Sequence, residues 1–249
     1  MVNALITGAS SGIGLSTARR MAQRGHQVLL LSYDEAELQH ACASIGPLAV
    51  AVLCDLSRAV EVDGLWDRLE EHHGPIEFLI NNAGIGHQGP VVDTETDSFR
   101  RIMEVNYFAA VNLCQQAVRA MKVRGRGHIL NLTSASARRS LAGIGAYGAS
   151  KAALHALTQS LRMEASVYGV TVSEVLPISV RTPFFERANY QPRGLTQTPE
   201  YVAQVILRCL DRNIPEQTTH WPTALGFGLD ALMPNWIARL MNWWHRRRP

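Results

Sequence analysis

Six short apolar runs separated by helical stretches constrain the fold of this chain more than any other feature. Residues 2–6, 28–31, 49–53, 78–80, 128–132 and 170–176 are almost continuously apolar, the pattern of strands buried on both faces. The segments between them carry apolar residues at helical spacing and can act as the crossovers that join parallel strands. The predicted architecture is α/β, a doubly wound parallel sheet flanked by helices. With 249 residues and 47% hydrophobic content the chain can bury one large core, and no Pro/Gly-rich linker, repeat or low-complexity tract divides it. A single domain over residues 1–249 is expected. Within it, residues 183–198 have the Pro, Gly and polar composition of a substrate lid, a helix is expected over 199–212, and residues 223–249 form an apolar and basic tail.

The first strand runs into a glycine-rich turn, Thr7-Gly8-Ala9-Ser10-Ser11-Gly12-Ile13-Gly14, that opens a helix. Gly8 suits a tight turn, Gly12 lets a pyrophosphate approach the backbone, and Gly14 allows the helix to pack closely. The helix N-terminus around Ile13 offers unpaired amides to the anion, and the hydroxyls of Ser10 and Ser11 can add hydrogen bonds. Strand, turn and helix in this order form a Rossmann-type dinucleotide cradle.

Tyr147 and Lys151 stand four residues apart, so on a helix they share a face and the ammonium can lie close to the phenol. A phenol with an ordinary pKa of about 10 is a sluggish acid or base at neutral pH, and a nearby cation favours phenolate and should bring it toward the working range. Lys151 is one of only two lysines in a chain that otherwise relies on arginine, which singles out a compact, tunable ammonium at this place.

These residues, with Ser134 upstream and Asn81-Asn82-Ala83-Gly84 after the fourth strand, resemble the single-domain short-chain dehydrogenase/reductase family. Its members share a T-G-x-x-x-G-x-G turn, an N-N-A-G stretch, a Ser and Y-x-x-x-K, and the resemblance covers nearly the whole chain. It implies an NAD(P)-dependent oxidoreductase that interconverts a carbonyl and an alcohol by hydride transfer. In the implied site Tyr147 exchanges the proton and Ser134 hydrogen-bonds the substrate oxygen. Lys151 would depress the Tyr147 pKa and hold the nicotinamide ribose, while Asn106 helps to hold a relay water. The resemblance further implies Asp55 at the adenine with Leu56 beside it, Asn82, Ala83 and Gly84 along the cofactor, and Pro177, Val180 and Thr182 at the nicotinamide amide. Where the family usually has Pro-Gly this chain reads Pro177-Ile178, and the branched side chain restricts the backbone. The Tyr-to-Lys interval favours carbonyl over double-bond reduction, and family likeness suggests a homodimer or homotetramer through the long helices.

The second strand ends Leu31-Ser32-Tyr33-Asp34 and should approach the adenosine ribose. Ser32 stands where NAD-preferring members tend to carry Asp, and Tyr33 where NADP-preferring members often carry Arg. Ser32 removes the repulsion an acid would exert on a 2′-phosphate, no arginine is evident in sequence to hold that phosphate, and Asp34 could shift to the ribose. NADP(H) is expected slightly ahead of NAD(H). Candidate pocket segments 85–87, 135–144 and 184–190 are mainly aliphatic and aromatic, so the small-molecule substrate is expected to be lipophilic, with His87, Arg138 and Arg139 left to solvent.

A formal charge of +3 without a basic stripe before the tail argues against nucleic acid. Cys42, Cys54, Cys114 and Cys209 lack the spacing of a disulfide framework or a zinc site. With a strand directly after Met1, a cytoplasmic protein with reduced thiols is expected. From Asn235 the tail can form a helix with Trp236, Ile237, Leu240, Met241 and Trp244 on one face, ending in Arg246, Arg247 and Arg248. That face either covers the substrate pocket or packs in an oligomer, or it makes peripheral contact with a membrane. Asp230, Pro234, Asn235 and Arg239 interrupt it, so it falls short of the roughly 20 apolar residues that span a bilayer. A competing functional reading is a non-catalytic NAD(P)-sensing regulator that uses the tail to contact a partner or bilayer, but it leaves Ser134, Tyr147 and Lys151 without a use.

Overall fold

The computed structural model describes residues 2–190 and 194–246, with the side chains of residues 240–242 and 244–246 outside the description. Seven strands, β1 (Asn3–Thr7), β2 (Gln27–Ser32), β3 (Ala49–Leu53), β4 (Ile76–Asn81), β5 (Gly127–Leu132), β6 (Val170–Leu176) and β7 (Glu216–Thr218), form one sheet in the order 3-2-1-4-5-6-7, every pair parallel. The crossovers are α1 (Gly12–Gln23), α2 (Glu35–Ile45), the single turn α3 (Ala59–Val62), α4 (Leu65–His73), α5 (Thr96–Met103), α6 (Ala109–Arg124), α7 (Gly145–Ser166), α8 (Pro183–Arg187) and α9 (Pro199–Arg212). Two further helices, α10 (Trp221–Leu232) and α11 (Pro234–Arg246), follow. The doubly wound fold read from the apolar runs is the fold observed.

Alternate strand residues feed two cores. Ala4, Ile6, Val28, Leu30, Ile80 and Leu130 face one side and meet Ala18, Met21, Leu38, Val202 and Ile206 from α1, α2 and α9. Leu5, Leu29, Leu79, Ile129 and Val172 face the other and meet Trp66, Leu69, Leu113, Met121 and Ala165 from α4, α6 and α7. The period-two alternation of a strand therefore explains why these runs are apolar throughout. Strand order reverses between β1 and β4, where successive crossovers diverge to opposite faces and leave a crevice beyond the strand ends.

Three elements depart from the sequence reading. Strand β7 is made of Glu216-Gln217-Thr218, which carries no apolar signal, and pairs as an edge strand with β6. The expected lid contains the short helix α8, begun by Pro183 at a position where its missing N–H costs nothing. The ends of that lid are pinned, because Arg181 N–H donates to Gln197 O (2.9 Å) and Gln197 N–H donates to Ser179 O (2.8 Å). The tail adds α10 ahead of the helix expected from Asn235, which is α11, with a break before Pro234. Among the described residues no helix is long and apolar enough to cross a membrane.

Candidate active site

The glycine turn is braced from the neighbouring strand. Asn82, just past β4, donates its side-chain amide to Thr7 O (2.8 Å) and Gly8 O (3.0 Å), while the Thr7 hydroxyl accepts the amides of Asn82 and Ala83 at 3.0 Å each. Gly8 adopts φ +63°, and a Cβ on Gly14 would lie 2.4 Å from Gly8 O and 2.6 Å from Asn82 Nδ2. Helix α1 can thus start against the turn only without a side chain at position 14. The resulting cradle, too close for any Cβ and facing a helix N-terminus, fits a dinucleotide pyrophosphate. Asn82 belongs to it as a brace, its side-chain amide being engaged with the turn itself.

Tyr147, Lys151 and Ser134 converge at the other end of the same cleft, which has a volume of about 920 Å³. Ser134 leaves β5 in extended conformation, and its Oγ accepts hydrogen bonds from Ser136 N–H (3.1 Å) and the Ser136 hydroxyl (2.9 Å). With both acceptors filled, its own proton can turn toward the Tyr147 phenol, whose charged form the hydroxyl favours. Lys151 is buried, donates to Leu132 O (2.8 Å), and places Nζ 5.9 Å from the centre of the Tyr147 ring.

Electrostatics here differ from the expected depression of the phenol. Burial pushes Tyr147 up to about 12, and the neighbouring Ser134 hydroxyl opposes this only in part. The lid supplies that burial, since Phe184 of α8 packs on the Tyr147 ring at 5.4 Å and is followed by Phe185 and Tyr190. Lys151 is the group brought toward neutrality: burial lowers it to about 8, against the opposing pull of Glu174. In this geometry the ammonium lies over the ring and on the Leu132 carbonyl, too far to outweigh desolvation of the hydroxyl.

Asn106 sits on a π-helical stretch, Glu104–Phe108, between α5 and α6. Its amide donates to Ile85 O and Ser150 Oγ at 2.9 Å each, and its Oδ1 accepts from Ile85 N (2.8 Å). It is 1% exposed and stands behind the cleft wall, as does Gly14. The other expected residues, Gly8, Ser10, Ser11, Gly12, Ile13, Ser32, Tyr33, Asp55, Leu56, Asn82, Ala83, Gly84, Pro177, Val180 and Thr182, all line the cleft.

At its adenosine end the hydroxyls are already engaged: Ser32 Oγ donates to Ser10 Oγ and Ser10 Oγ to Glu37, both at 3.1 Å. Asp34 caps α2 by accepting Glu37 N–H at 2.9 Å, which ties it away from the ribose. The cation that sequence did not show at the end of β2 arrives from the lid, where Arg187 of α8 lines the cleft and pairs with Glu37. Spacing of 150 residues hid it. Nor are Arg138 and Arg139 a hydrated rim, for Arg138 pairs with Glu216 and Arg139 with Asp230 (3.4 Å), drawing α10 over the pocket.

Residues 2–193 match the profile of the short chain dehydrogenases. The chain is 33% identical over 222 residues to a fatty acyl-CoA reductase of Acinetobacter baylyi, covering 87% of this chain and 75% of that one. It spans only 33% of the length of a longer mycobacterial relative matched at the same identity. Among solved structures it resembles a short-chain dehydrogenase from Sphingobium yanoikuyae in complex with NADPH (TM-score 0.84, 30% identity, 94% of this chain and 96% of that one). It also resembles a 3-ketoacyl-(acyl-carrier-protein) reductase from Brucella melitensis complexed with NADH (TM-score 0.81, 27% identity, 87% and 95%). Fold, cradle and family match agree: the chain belongs to the short chain dehydrogenase family.

Proposed function

We propose that this protein reduces a lipophilic ketone or aldehyde, reversibly, with NADP(H) as the slightly preferred cofactor. The observation that carries the reading is the convergence of Ser134, Tyr147 and Lys151 in one cleft with the glycine cradle. When bound, the nicotinamide supplies the hydride. Tyr147 gives its proton to the carbonyl oxygen, Ser134 donates a hydrogen bond to that oxygen, and Lys151 holds the ribose and keeps positive charge beneath the phenol. Asn106 fixes Ile85 and the cleft wall, where a relay water would stand. Ile85, Leu141, Ile144, Phe184, Tyr190 and Phe227 give the substrate end its apolar lining.

Arg187 supports NADP(H). Its guanidinium stands over the end of the cleft that holds Ser32 and Tyr33 and can exchange Glu37 for a 2′-phosphate. Screening ketones and aldehydes with both cofactors tests the activity; failure to turn over any of them with either cofactor would overturn it. Arg187→Ala should raise the KM for NADPH by about 10–100-fold, the worth of a charge-assisted bond, and leave that for NADH within about threefold. Equal effects on both would remove Arg187 from cofactor choice.

The tail serves two surfaces. Phe227, Asp230 and Ile237 line the pocket, while Trp221, Leu225, Leu229, Leu232 and Trp236 are exposed on the outside. Four arginines, Arg239 and Arg246–248, follow Asp230 without an intervening acid, so the end of the tail is strongly basic. A cytoplasmic protein, assembled as a homodimer or homotetramer through α6 and α7, would use this face for peripheral contact with an anionic bilayer. Full-length protein should sediment with vesicles containing anionic phospholipid, and protein lacking residues 235–249 should not; equal sedimentation of the two would refute the contact.

A further inference from the structure

Beneath the proposed site lies a buried acid to which the reaction gives no role. Glu174 in the middle of β6 is 0% exposed. Its carboxylate accepts the Thr133 hydroxyl at 2.6 Å and meets His155 Nδ1 at 2.9 and 2.8 Å. Burying a carboxylate is costly unless partners replace its hydration, and both partners here belong to elements that build the site. Thr133 stands between Leu132, whose carbonyl anchors Lys151, and Ser134. His155 is one turn beyond Lys151 on α7, so Tyr147, Lys151 and His155 share one helix face.

Resting on the carbonyl-reductase reading, we propose that Glu174 is a positioning residue: it clamps the end of β5 to α7 and so fixes Ser134 and the Lys151 ammonium in register. Removing the clamp would leave the Thr133 hydroxyl only its longer bond to Val175 O (3.3 Å) and loosen the side chain of the residue joining those two anchors. The charge of Glu174 also favours the protonated form of Lys151, which burial otherwise disfavours.

Other charges near Glu174 are accounted for. Glu216 on β7 lies opposite it in register, and the carboxylates and His155 fall within 4.8 Å of one another, but Arg138 pairs with Glu216. Arg162 on α7 donates to Val172 O and Pro215 O, and His128 on β5 meets Ser173 Oγ at 2.8 Å. Lys151 and His155 are therefore the basic groups that answer Glu174 from α7.

Glu174→Gln keeps the shape and removes the charge. NADPH affinity of purified full-length protein, read by nicotinamide fluorescence across pH without substrate, is expected to lose its basic limb about one pH unit earlier than wild type. The pH at which carbonyl reduction is lost should move with it. Thr133→Val removes one clamp contact and no charge, so it should lower kcat by about tenfold, the cost of one such bond, with the limb unmoved. An unshifted limb in folded Glu174→Gln, or wild-type kcat in Thr133→Val, overturns the proposal even where the wild-type protein is an active reductase. A wild-type protein that binds NADPH yet reduces no carbonyl fails at the earlier reading, and the binding limb still tests Glu174.

Discussion

Tyr147→Phe is expected to lower carbonyl reduction by about 10²–10⁴-fold, the usual worth of a positioned general acid, while NADPH binding stays close to wild type. The substitution removes one hydroxyl and leaves the ring, whose contact with Phe184 at 5.4 Å does not involve the oxygen. Only the interaction with the Ser134 hydroxyl is lost, worth at most about 1 kcal/mol of stability, so the variant should fold. The pH dependence separates the two candidate titrating groups. The proposed donor in reduction is the neutral phenol, and burial holds its pKa near 12, so proton donation should persist across the neutral range. Lys151, near 8, titrates there instead. Reduction by the wild-type protein should therefore fall as pH rises through about 8, when the ammonium is lost. Turnover of Tyr147→Phe above a tenth of wild type would mean that another group gives the proton.

The sheet and the cradle were legible because their signals are local. Gly8, Gly12 and Gly14 encode a turn within eight residues, and residues 2–6 or 128–132 declare burial on both faces by composition alone. The Tyr147–Lys151 spacing likewise needs only helical periodicity. What stayed hidden depends on chain segments far apart. Nothing near Arg187 in sequence announces that α8 folds back to Glu37, and Asp34 reveals itself as a cap only once α2 begins behind it. The phenol's raised pKa has the same origin. Proximity of a lysine can be read from spacing, whereas the desolvation that outweighs it comes from the lid and Phe184. Strand β7 was missed because an edge strand of Glu, Gln and Thr is specified by its partner β6 and by Arg138, with no apolar pattern of its own.

Lys151→Met should remove activity and raise stability together. The lost ammonium takes with it the charge beneath the phenol and the proposed ribose contact, an electrostatic loss of at least about 10²-fold in turnover with weaker NADPH binding. Stability moves the other way because Lys151 is buried and its folded pKa, about 8, lies below the ordinary 10.5. Between those values the unfolded chain binds a proton that the folded chain does not, so stability rises with pH through that window. Below about pH 8 both states are protonated and the burial penalty, about 3 kcal/mol, is present in full. Methionine has similar length and no charge to desolvate, but it leaves Leu132 O without its donor, a cost of about 1–2 kcal/mol. Glu174 keeps Thr133 and His155 as partners, so the substitution does not strand a buried carboxylate. A net gain of about 1–2 kcal/mol is expected at pH 7 in the absence of cofactor, shrinking above pH 8 and lost before pH 10.5 is reached. Denaturant unfolding of wild type and Lys151→Met at pH 7 and near pH 10 measures it. A variant less stable than wild type at pH 7, or an advantage that grew with pH, would show that burial does not hold this ammonium at a cost.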